Sequence, residues 1–219
     1  MDKFSTLTTG AVALEADNID TDQIMPKQFL RGIDKAGLDK GLFYNLKHKA
    51  DGSLNPDCVL NSSAAAKAAV LVAGPNFGCG SSREHAVWGL LQGGFRVVVA
   101  PSFGEIFYSN CFNNGLLACK ITADDSKKLF AVLRADPEAS FTVNLATRTI
   151  RTGDAVVSFA IASRHSRMLE LGLDMVDATL SEIDEVKRFR ESHERDFPWM
   201  SGLPGKAKRV LIARGESLP

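Results

Sequence analysis

In this 219-residue chain, the residues best suited to binding or catalysis lie in a glycine-rich segment between an apolar run and a predicted helix. It reads Gly74-Pro75-Asn76-Phe77-Gly78-Cys79-Gly80-Ser81-Ser82-Arg83-Glu84-His85. Glycines allow a tight turn and a close approach of the backbone to a ligand. The start of a helix offers unpaired N–H groups and a partial positive charge, to which Arg83 adds a fixed cation. Together these features predict a binding site for a carboxylate or a phosphate.

Two common anion-binding motifs are not completed by this segment. A dinucleotide fingerprint would continue Gly78-x-Gly80-x-x with Gly or Ala, but residue 83 is Arg. A P-loop would end in Gly-Lys-Ser/Thr, whereas Gly80 is followed by Ser81. The segment is therefore neither of these nucleotide-binding motifs.

Ser81 allows two interpretations from the residues alone. Ser81-x-x-Glu84 has the spacing of a capping box, in which the hydroxyl only satisfies a backbone N–H at a helix start. Alternatively, the surrounding donors and Arg83 stabilise its alkoxide, so that Ser81 acts as a base or a nucleophile. None of the four histidines is spaced as the obvious partner of a serine triad.

An alternation of apolar runs and helical patterns surrounds this segment, and it predicts an α/β fold with a parallel sheet core and helical crossovers. Strands are expected at 11–16, 70–73, 95–100 and 116–121, and helices at 62–69, 83–91, 103–113 and 124–135. Since open α/β sheets bind ligands at the carboxyl ends of their strands, we expect the glycine-rich segment and the loops of residues 17–43 at one edge.

The second half of the chain has a different pattern. Three short strands between residues 140 and 161 predict a small β meander. Helices are expected at 164–171 and 180–195, and Thr179-x-x-Glu182 is read as a capping box for the later one.

Composition and charge narrow the class of protein. A 45% apolar content excludes disorder, and 26 basic against 26 acidic residues disfavour a nucleic-acid partner. The longest apolar runs fall far short of the roughly 20 residues of a membrane helix. The start of the chain lacks the apolar stretch of a signal peptide. Four cysteines without a C-x-x-C pair predict no metal site and no disulfide framework, so we expect a protein of the reducing cytoplasm.

Five segments, in this order along the chain, resemble one known family. They are Asn18-Ile19-Asp20-Thr21-Asp22-Gln23-Ile24, Gln28-Phe29-Leu30, Gly41-Leu42-Phe43, residues 76–85, and residues 101–115 with the ending Asn113-Asn114-Gly115. The family is the small subunit of 3-isopropylmalate dehydratase, the swivel domain of the aconitase superfamily. The resemblance implies a swivelling β/β/α domain over residues 1–199, followed by a C-terminal extension of residues 200–219.

The resemblance also implies an activity. The family is a hydro-lyase of leucine biosynthesis, which isomerises 2-isopropylmalate and 3-isopropylmalate through isopropylmaleate. Ser81 matches the base that removes the carbon-bound proton. Arg83, with Ser82 beside it, matches an arginine that binds a substrate carboxylate. Asp22 matches an active-site aspartate, and Thr21 precedes it in the same substrate-binding motif.

The loop after this aspartate carries residues that face the variable substituent of the substrate in the family. Phe29, Leu30 and Arg31 occupy it here. Phe29 and Leu30 suit an apolar substituent, whereas Arg31 is either a solvated cation or the ligand of an extra carboxylate.

Loss of hydroxide from the substrate needs a Lewis acid. The resemblance implies a [4Fe-4S] cluster on a separate large subunit, in a heterodimer or heterotetramer. The four cysteines of this chain lack the close spacing of cluster ligands, so we expect no cofactor on this chain. The sequence thus predicts half of an active site.

Two alternatives stay open. The chain is a related hydro-lyase subunit for another 2-alkylmalate, a citraconate-type acid or a tricarboxylate, with Arg31 reading the added charge. Or it is a non-catalytic assembly module, in which Ser81 only caps a helix.

Overall fold

The computed structural model describes residues 1–30, 36–203, 205, 206, 209 and 213. The strands in these ranges are β1 (Thr6–Leu14), β2 (Ala68–Ala73), β3 (Val97–Ala100), β4 (Leu117–Lys120), β5 (Ser140–Asn144), β6 (Thr149–Thr152) and β7 (Ala155–Ser158). The helices are α1 (Thr21–Ile24), α2 (Tyr44–Lys47), α3 (Ser63–Ala66), α4 (Glu84–Gln92), α5 (Glu105–Asn114), α6 (Ala123–Ala135), α7 (Ser163–Leu171), α8 (Met175–Leu180) and α9 (Ile183–Asp196). Short 3-10 turns cover Lys27–Phe29, Leu38–Gly41, Val59–Asn61 and Pro198–Met200.

One seven-stranded sheet lies at the centre of the first compact unit, which spans Met1–Met175. The strand order is β4-β3-β2-β1-β5-β6-β7. Strands β1 to β4 are parallel neighbours, and β1, β5, β6 and β7 pair antiparallel. Helices α4 and α5 connect the parallel strands β2, β3 and β4. The predicted α/β fold, with its parallel core, helical crossovers and β meander, is confirmed.

The apolar runs explain the parallel half of the sheet. Every residue of β3 is fully buried, as are the four residues of β2 from Val70 onward. Strands covered by helices on both faces bury both sets of side chains, so they read as continuous apolar runs.

The start of β1 differs from the prediction, because the strand begins at Thr6 rather than at residue 11. Its first half, Thr6 to Gly10, pairs antiparallel with β5, and its second half pairs parallel with β2. The register shifts between Gly10 and Ala11. The first half is polar and half-exposed, so an apolar pattern does not reveal it.

Two predicted helices are also corrected. The helix expected at 62–69 is the single turn α3, capped by the Ser62 side chain, and β2 already begins at Ala68. The helix expected at 180–195 begins at Ile183, with Glu182 as its N-cap residue and no capping side chain. Thr179 lies inside α8, so the predicted capping box is wrong.

The second compact unit spans residues 176–219, of which part is described. Its main element is α9, whose residues are mostly exposed and charged. The boundary between residues 199 and 200, expected from the family resemblance, stays a prediction. Within the described residues, no helix combines the length and the apolar character needed to cross a membrane.

Candidate active site

Two loops lie side by side at the carboxyl ends of parallel strands: residues 15–22, which follow β1, and the glycine-rich segment, which follows β2. Three backbone hydrogen bonds join them: Asn18 N–H to Pro75 O (3.0 Å), Gly78 N–H to Ile19 O (2.7 Å) and Thr21 N–H to Cys79 O (2.9 Å). Residues 17–22 of the loops expected at this edge therefore lie beside the glycine-rich segment, whereas residues 31–35 of those loops lie outside the described residues.

A third loop, after β3, supports the glycine-rich segment from the other side. Ser102 accepts two N–H groups: its Oγ binds that of Asn76 at 2.8 Å and its carbonyl binds that of Phe77 at 3.1 Å. Gly104 N–H donates to the carbonyl of Phe77 at 2.9 Å. The segment therefore has a defined path between two loops rather than the freedom that its glycines would allow.

Gly78 shows why this path needs glycine. Its φ of +73° lies in the left-handed region, where a Cβ is unfavourable. A Cβ at this position would also overlap the ring of Phe107. The backbone can therefore pass directly over the aromatic side chains of α5.

Ser81 lies two residues beyond these contacts and is exposed, as is Ser82. Helix α4 begins at Glu84, its N-cap residue is Arg83, and no side chain caps it. The capping box between Ser81 and Glu84 is therefore not formed. Ser81 lies at the surface, before the helix start, where an incoming molecule can reach it.

Arg83 and Asp22 form an ion pair between the two loops, and the Arg83 side chain is only 16% exposed. The hydrogen bond from Arg83 Nη1 holds the pKa of Asp22 below its ordinary value. Asp22 lies in the first turn of α1, which Asp20 and Gln23 close by a reciprocal capping box. Asp22 thus holds the guanidinium through one nitrogen, while the Arg83 backbone N–H donates to the carbonyl of Ser81 at 2.8 Å.

Thr21, which precedes this aspartate, is 1% exposed. Its hydroxyl donates to the backbone carbonyl of Ser81 at 3.0 Å. The structure therefore brings Thr21, Asp22, Ser81 and Arg83 together at one place.

Of the three residues expected to face the substrate's variable substituent, the structure describes two, Phe29 and Leu30. Phe29 and Leu30 are half-buried, and the ring of Phe29 packs against that of Tyr44 at 5.0 Å between centroids. Arg31 lies outside the described residues. Phe29 and Leu30 follow α1 directly, through the 3-10 turn Lys27–Phe29.

Two asparagines that were not among the predicted site residues, Asn18 and Asn76, also join the two loops. Asn18 and Asn76 both have positive φ, 56° and 58°, and the Asn76 amide donates to the Asn18 side-chain oxygen at 2.8 Å. Asparagine tolerates the left-handed region better than most residues. The presence of an asparagine in each of the two loops could have predicted these left-handed turns.

A second missed cluster supports the start of α4. The Asn114 amide donates to Glu84 Oε1 at 2.6 Å and accepts from Trp88 Nε1 at 2.9 Å. This links the first two turns of α4 to the end of α5. Asn114 was part of a family motif, but only the fold shows what it contacts.

The cysteines are not grouped as metal ligands in the part of the chain that the structure describes. Cys111 and Cys119 are fully buried, and burial raises the pKa of both thiols well above its ordinary value. Among the described residues, no three His, Cys, Asp or Glu side chains are grouped so as to hold a metal ion. The donors present here do not fit an iron–sulfur cluster, which needs thiolates.

Comparisons with known proteins agree with the fold. A family model of the aconitase C-terminal domain matches residues 1–124, and the LeuD_N model matches residues 127–163. A crystal structure of 3-isopropylmalate dehydratase (leuD) from Methanocaldococcus jannaschii has the same fold, with a TM-score of 0.60 and 24% identity. The match covers 84% of this chain and 99% of that one. The chain thus contains an aconitase-type domain.

Curated relatives narrow this class. The 3-isopropylmalate dehydratase small subunit 1 of Chromobacterium violaceum is 48% identical over 92% of this chain and 95% of the relative. The small subunit from Nitrobacter winogradskyi is 45% identical over 91% of this chain and 100% of the relative. The chain belongs to the family of 3-isopropylmalate dehydratase small subunits, which are hydro-lyase subunits of aconitase type.

Proposed function

We propose that this chain supplies half of the active site of a 3-isopropylmalate dehydratase, in which Ser81 is the base and Arg83 binds a substrate carboxylate. The observation that carries this proposal is the exposed Ser81 beside an ordered Arg83 at the start of α4. The enzyme interconverts 2-isopropylmalate and 3-isopropylmalate through isopropylmaleate, as a step of leucine biosynthesis.

The charges of the site suit a dicarboxylate. Asp22 contacts one guanidinium nitrogen of Arg83, and the guanidinium has further donors for a carboxylate. The dipole of α4 adds partial positive charge at the start of this helix. A substrate carboxylate is therefore held next to the Ser81 hydroxyl, with Ser82 as a second hydroxyl in reach.

Ser81 removes the proton from the carbon next to that carboxylate. This proton is weakly acidic, so its removal depends on stabilising the negative charge that develops. Arg83 is already in place for this, because its ion pair with Asp22 fixes the side chain before substrate arrives. Arg83 also stabilises the alkoxide form of Ser81, so that more of the serine is in the form that can accept a proton.

A large subunit provides the rest of the site in this proposal. Departure of hydroxide needs a Lewis acid, and a [4Fe-4S] cluster on the large subunit supplies it. The described residues of the small subunit offer no ligand set for the cluster. The exposure of Ser81 and Ser82 leaves the half-site open toward such a partner. Both chains work in the cytoplasm, as a heterodimer or a heterotetramer.

The half-buried Phe29 and Leu30, which follow α1, favour an isopropyl substituent. Arg31 would instead favour a substrate with an additional carboxylate. The substrates used in the assay therefore include both isopropylmalates, citraconate and a tricarboxylate.

The test is reconstitution with a cluster-loaded large subunit, followed by the absorbance of isopropylmaleate. Ser81→Ala should lower kcat by about 10²- to 10⁴-fold, the usual contribution of a general base. Ser158→Ala, at an exposed position in β7, is the matched control and should leave kcat unchanged. Size-exclusion chromatography checks that each variant still assembles.

Three results would contradict parts of this proposal. Near-normal turnover of the assembled Ser81→Ala complex would remove the base assignment. Activity on citraconate or a tricarboxylate alone would keep the reaction and change the substrate. A complex that forms without any turnover would favour the assembly module.

A further inference from the structure

Thr21 makes two hydrogen bonds to the glycine-rich segment. Its backbone N–H donates to the carbonyl of Cys79 at 2.9 Å, and its hydroxyl donates to the carbonyl of Ser81 at 3.0 Å. The two acceptors are two residues apart, on either side of Gly80. One residue of the first loop thus fixes the segment immediately before and at Ser81.

Gly80 makes this support necessary. Its φ of +91° lies in the left-handed region, and glycine leaves the backbone free to adopt other conformations. A Cβ at Gly80 would lie 3.7 Å from the Thr21 hydroxyl oxygen, so the two residues pack closely. The direction in which Ser81 points therefore depends on the hydrogen bonds that hold the backbone around Gly80, and not on the backbone preference of Gly80 itself.

The carbonyl of Ser81 has both of its acceptor sites in use. Thr21 Oγ1 donates to it from α1, and the N–H of Arg83, the N-cap residue of α4, donates at 2.8 Å. A carbonyl oxygen offers two lone pairs, so two donors from different directions restrict the rotation of the peptide plane. The orientation of the Ser81 peptide in turn limits where its side-chain oxygen can lie.

We propose that Thr21 is a positioning residue for Ser81, and that it acts through this carbonyl rather than by touching the substrate. Thr21 is 1% exposed, so a substrate at the surface does not reach its hydroxyl. The next residue, Asp22, does the same for Arg83 through the ion pair. Two consecutive residues of α1 therefore orient the base and the carboxylate-binding cation. This inference rests on the proposed role of Ser81.

The test uses the reconstituted complex and three variants. Thr21→Val keeps the shape and removes the donor, Thr21→Ser restores the donor without the methyl group, and Thr152→Val is the matched control. Thr152 is also buried, at 3% exposure, and lies in β6. Steady-state kinetics separate kcat from KM, and thermal unfolding reports on stability.

We expect Thr21→Val to lower kcat by about 10- to 100-fold, the effect of displacing a reacting group by about an ångström. KM should change by less than about threefold, because the Arg83–Asp22 pair remains. Thr21→Ser should return kcat to within about threefold of the wild type, and Thr152→Val should leave it unchanged. If Thr21→Val does not assemble, Thr21→Ala must show the same separation of kcat from KM.

The double variant Ser81→Ala/Thr21→Val decides whether Thr21 acts through Ser81. Once the base is gone, loss of the Thr21 hydroxyl should cause no further decrease in kcat, since residues that act as a unit are not additive. An equal decrease in both backgrounds would overturn the inference, as would a Thr21→Val kcat within twofold of the wild type. Failure of the base assignment is seen separately, as normal turnover in Ser81→Ala alone.

Discussion

Gly104→Ala should slow the reconstituted enzyme, although residue 104 lies in a different loop from Ser81. An ideal Cβ at Gly104 would lie 2.5 Å from the carbonyl oxygen of Gly78 and 3.0 Å from the Cα of Cys79. These are backbone atoms of the glycine-rich segment, which cannot turn aside as a flexible side chain would. The φ and ψ of Gly104, −59° and 134°, are open to any residue, so the cost is steric alone.

The required displacement can be worked out from these distances. Ordinary contact begins at 3.4 Å, so the segment must move away from Gly104 by about 0.9 Å. Overpacking of this kind costs about 1 to 3 kcal/mol of stability. Ser81 lies two residues beyond Cys79, and a shift of about 1 Å at a reacting group lowers turnover by about 100-fold. Because part of the shift relaxes before Ser81, we expect kcat to fall by about 10- to 100-fold.

Gly94→Ala is the control, since it carries a backbone cost without a contact. Its φ is +92° and an added Cβ would meet nothing within 4 Å. It should lose about 1 to 2 kcal/mol of stability, from the left-handed conformation, and keep the wild-type kcat. Urea unfolding and the isopropylmaleate assay give both quantities for each variant. A Gly104→Ala complex with unchanged kcat would refute the link between this loop and Ser81.

Two further predictions concern stability. The buried hydroxyl of Thr152 makes no hydrogen bond within the described part of the chain. Thr152→Val should therefore raise the free energy of unfolding, measured in urea, by about 1 kcal/mol. A clear decrease in that free energy would show that the hydroxyl has a partner. The hydrogen bond from Arg83 lowers the pKa of Asp22 in the folded protein. The ionised Asp22 therefore stabilises the fold fully at pH values above its unfolded pKa, near 3.8, and this stabilisation is lost as the pH falls through its folded pKa. Asp22→Asn should therefore reduce stability at pH 7 and change it little at the acid end, whereas an equal effect at both pH values would exclude the ion pair as the cause.

The fold was predictable where burial determines the residue pattern. The continuous apolar residues of β2 and β3 indicated parallel strands, and both occur close to the expected positions. The first half of β1 was not predictable in this way. Its residues are mostly polar and partly exposed, and its pairing with β5 joins residues more than 120 positions apart.

The candidate site residues could be named from the sequence, but their contacts could not. The glycines and Arg83 indicated an anion site, and the family resemblance added Ser81 and Asp22. The Asp22–Arg83 pair joins residues 61 positions apart, which no local spacing reveals. Whether Ser81 caps the helix depended on a boundary of only a few residues, and such boundaries are the least certain part of a sequence-based prediction.

The most direct measurement of the central claim is exchange of the carbon-bound hydrogen of 3-isopropylmalate with deuterium oxide, catalysed by the complex with its large subunit. The wild-type complex should incorporate deuterium at the carbon that bears the isopropyl group, from which the proton is removed, at a rate comparable with turnover. An assembled Ser81→Ala complex should be slower by about 10²- to 10⁴-fold, because its small subunit lacks the group that takes the proton. Equal incorporation by both complexes would place the base elsewhere and contradict the account.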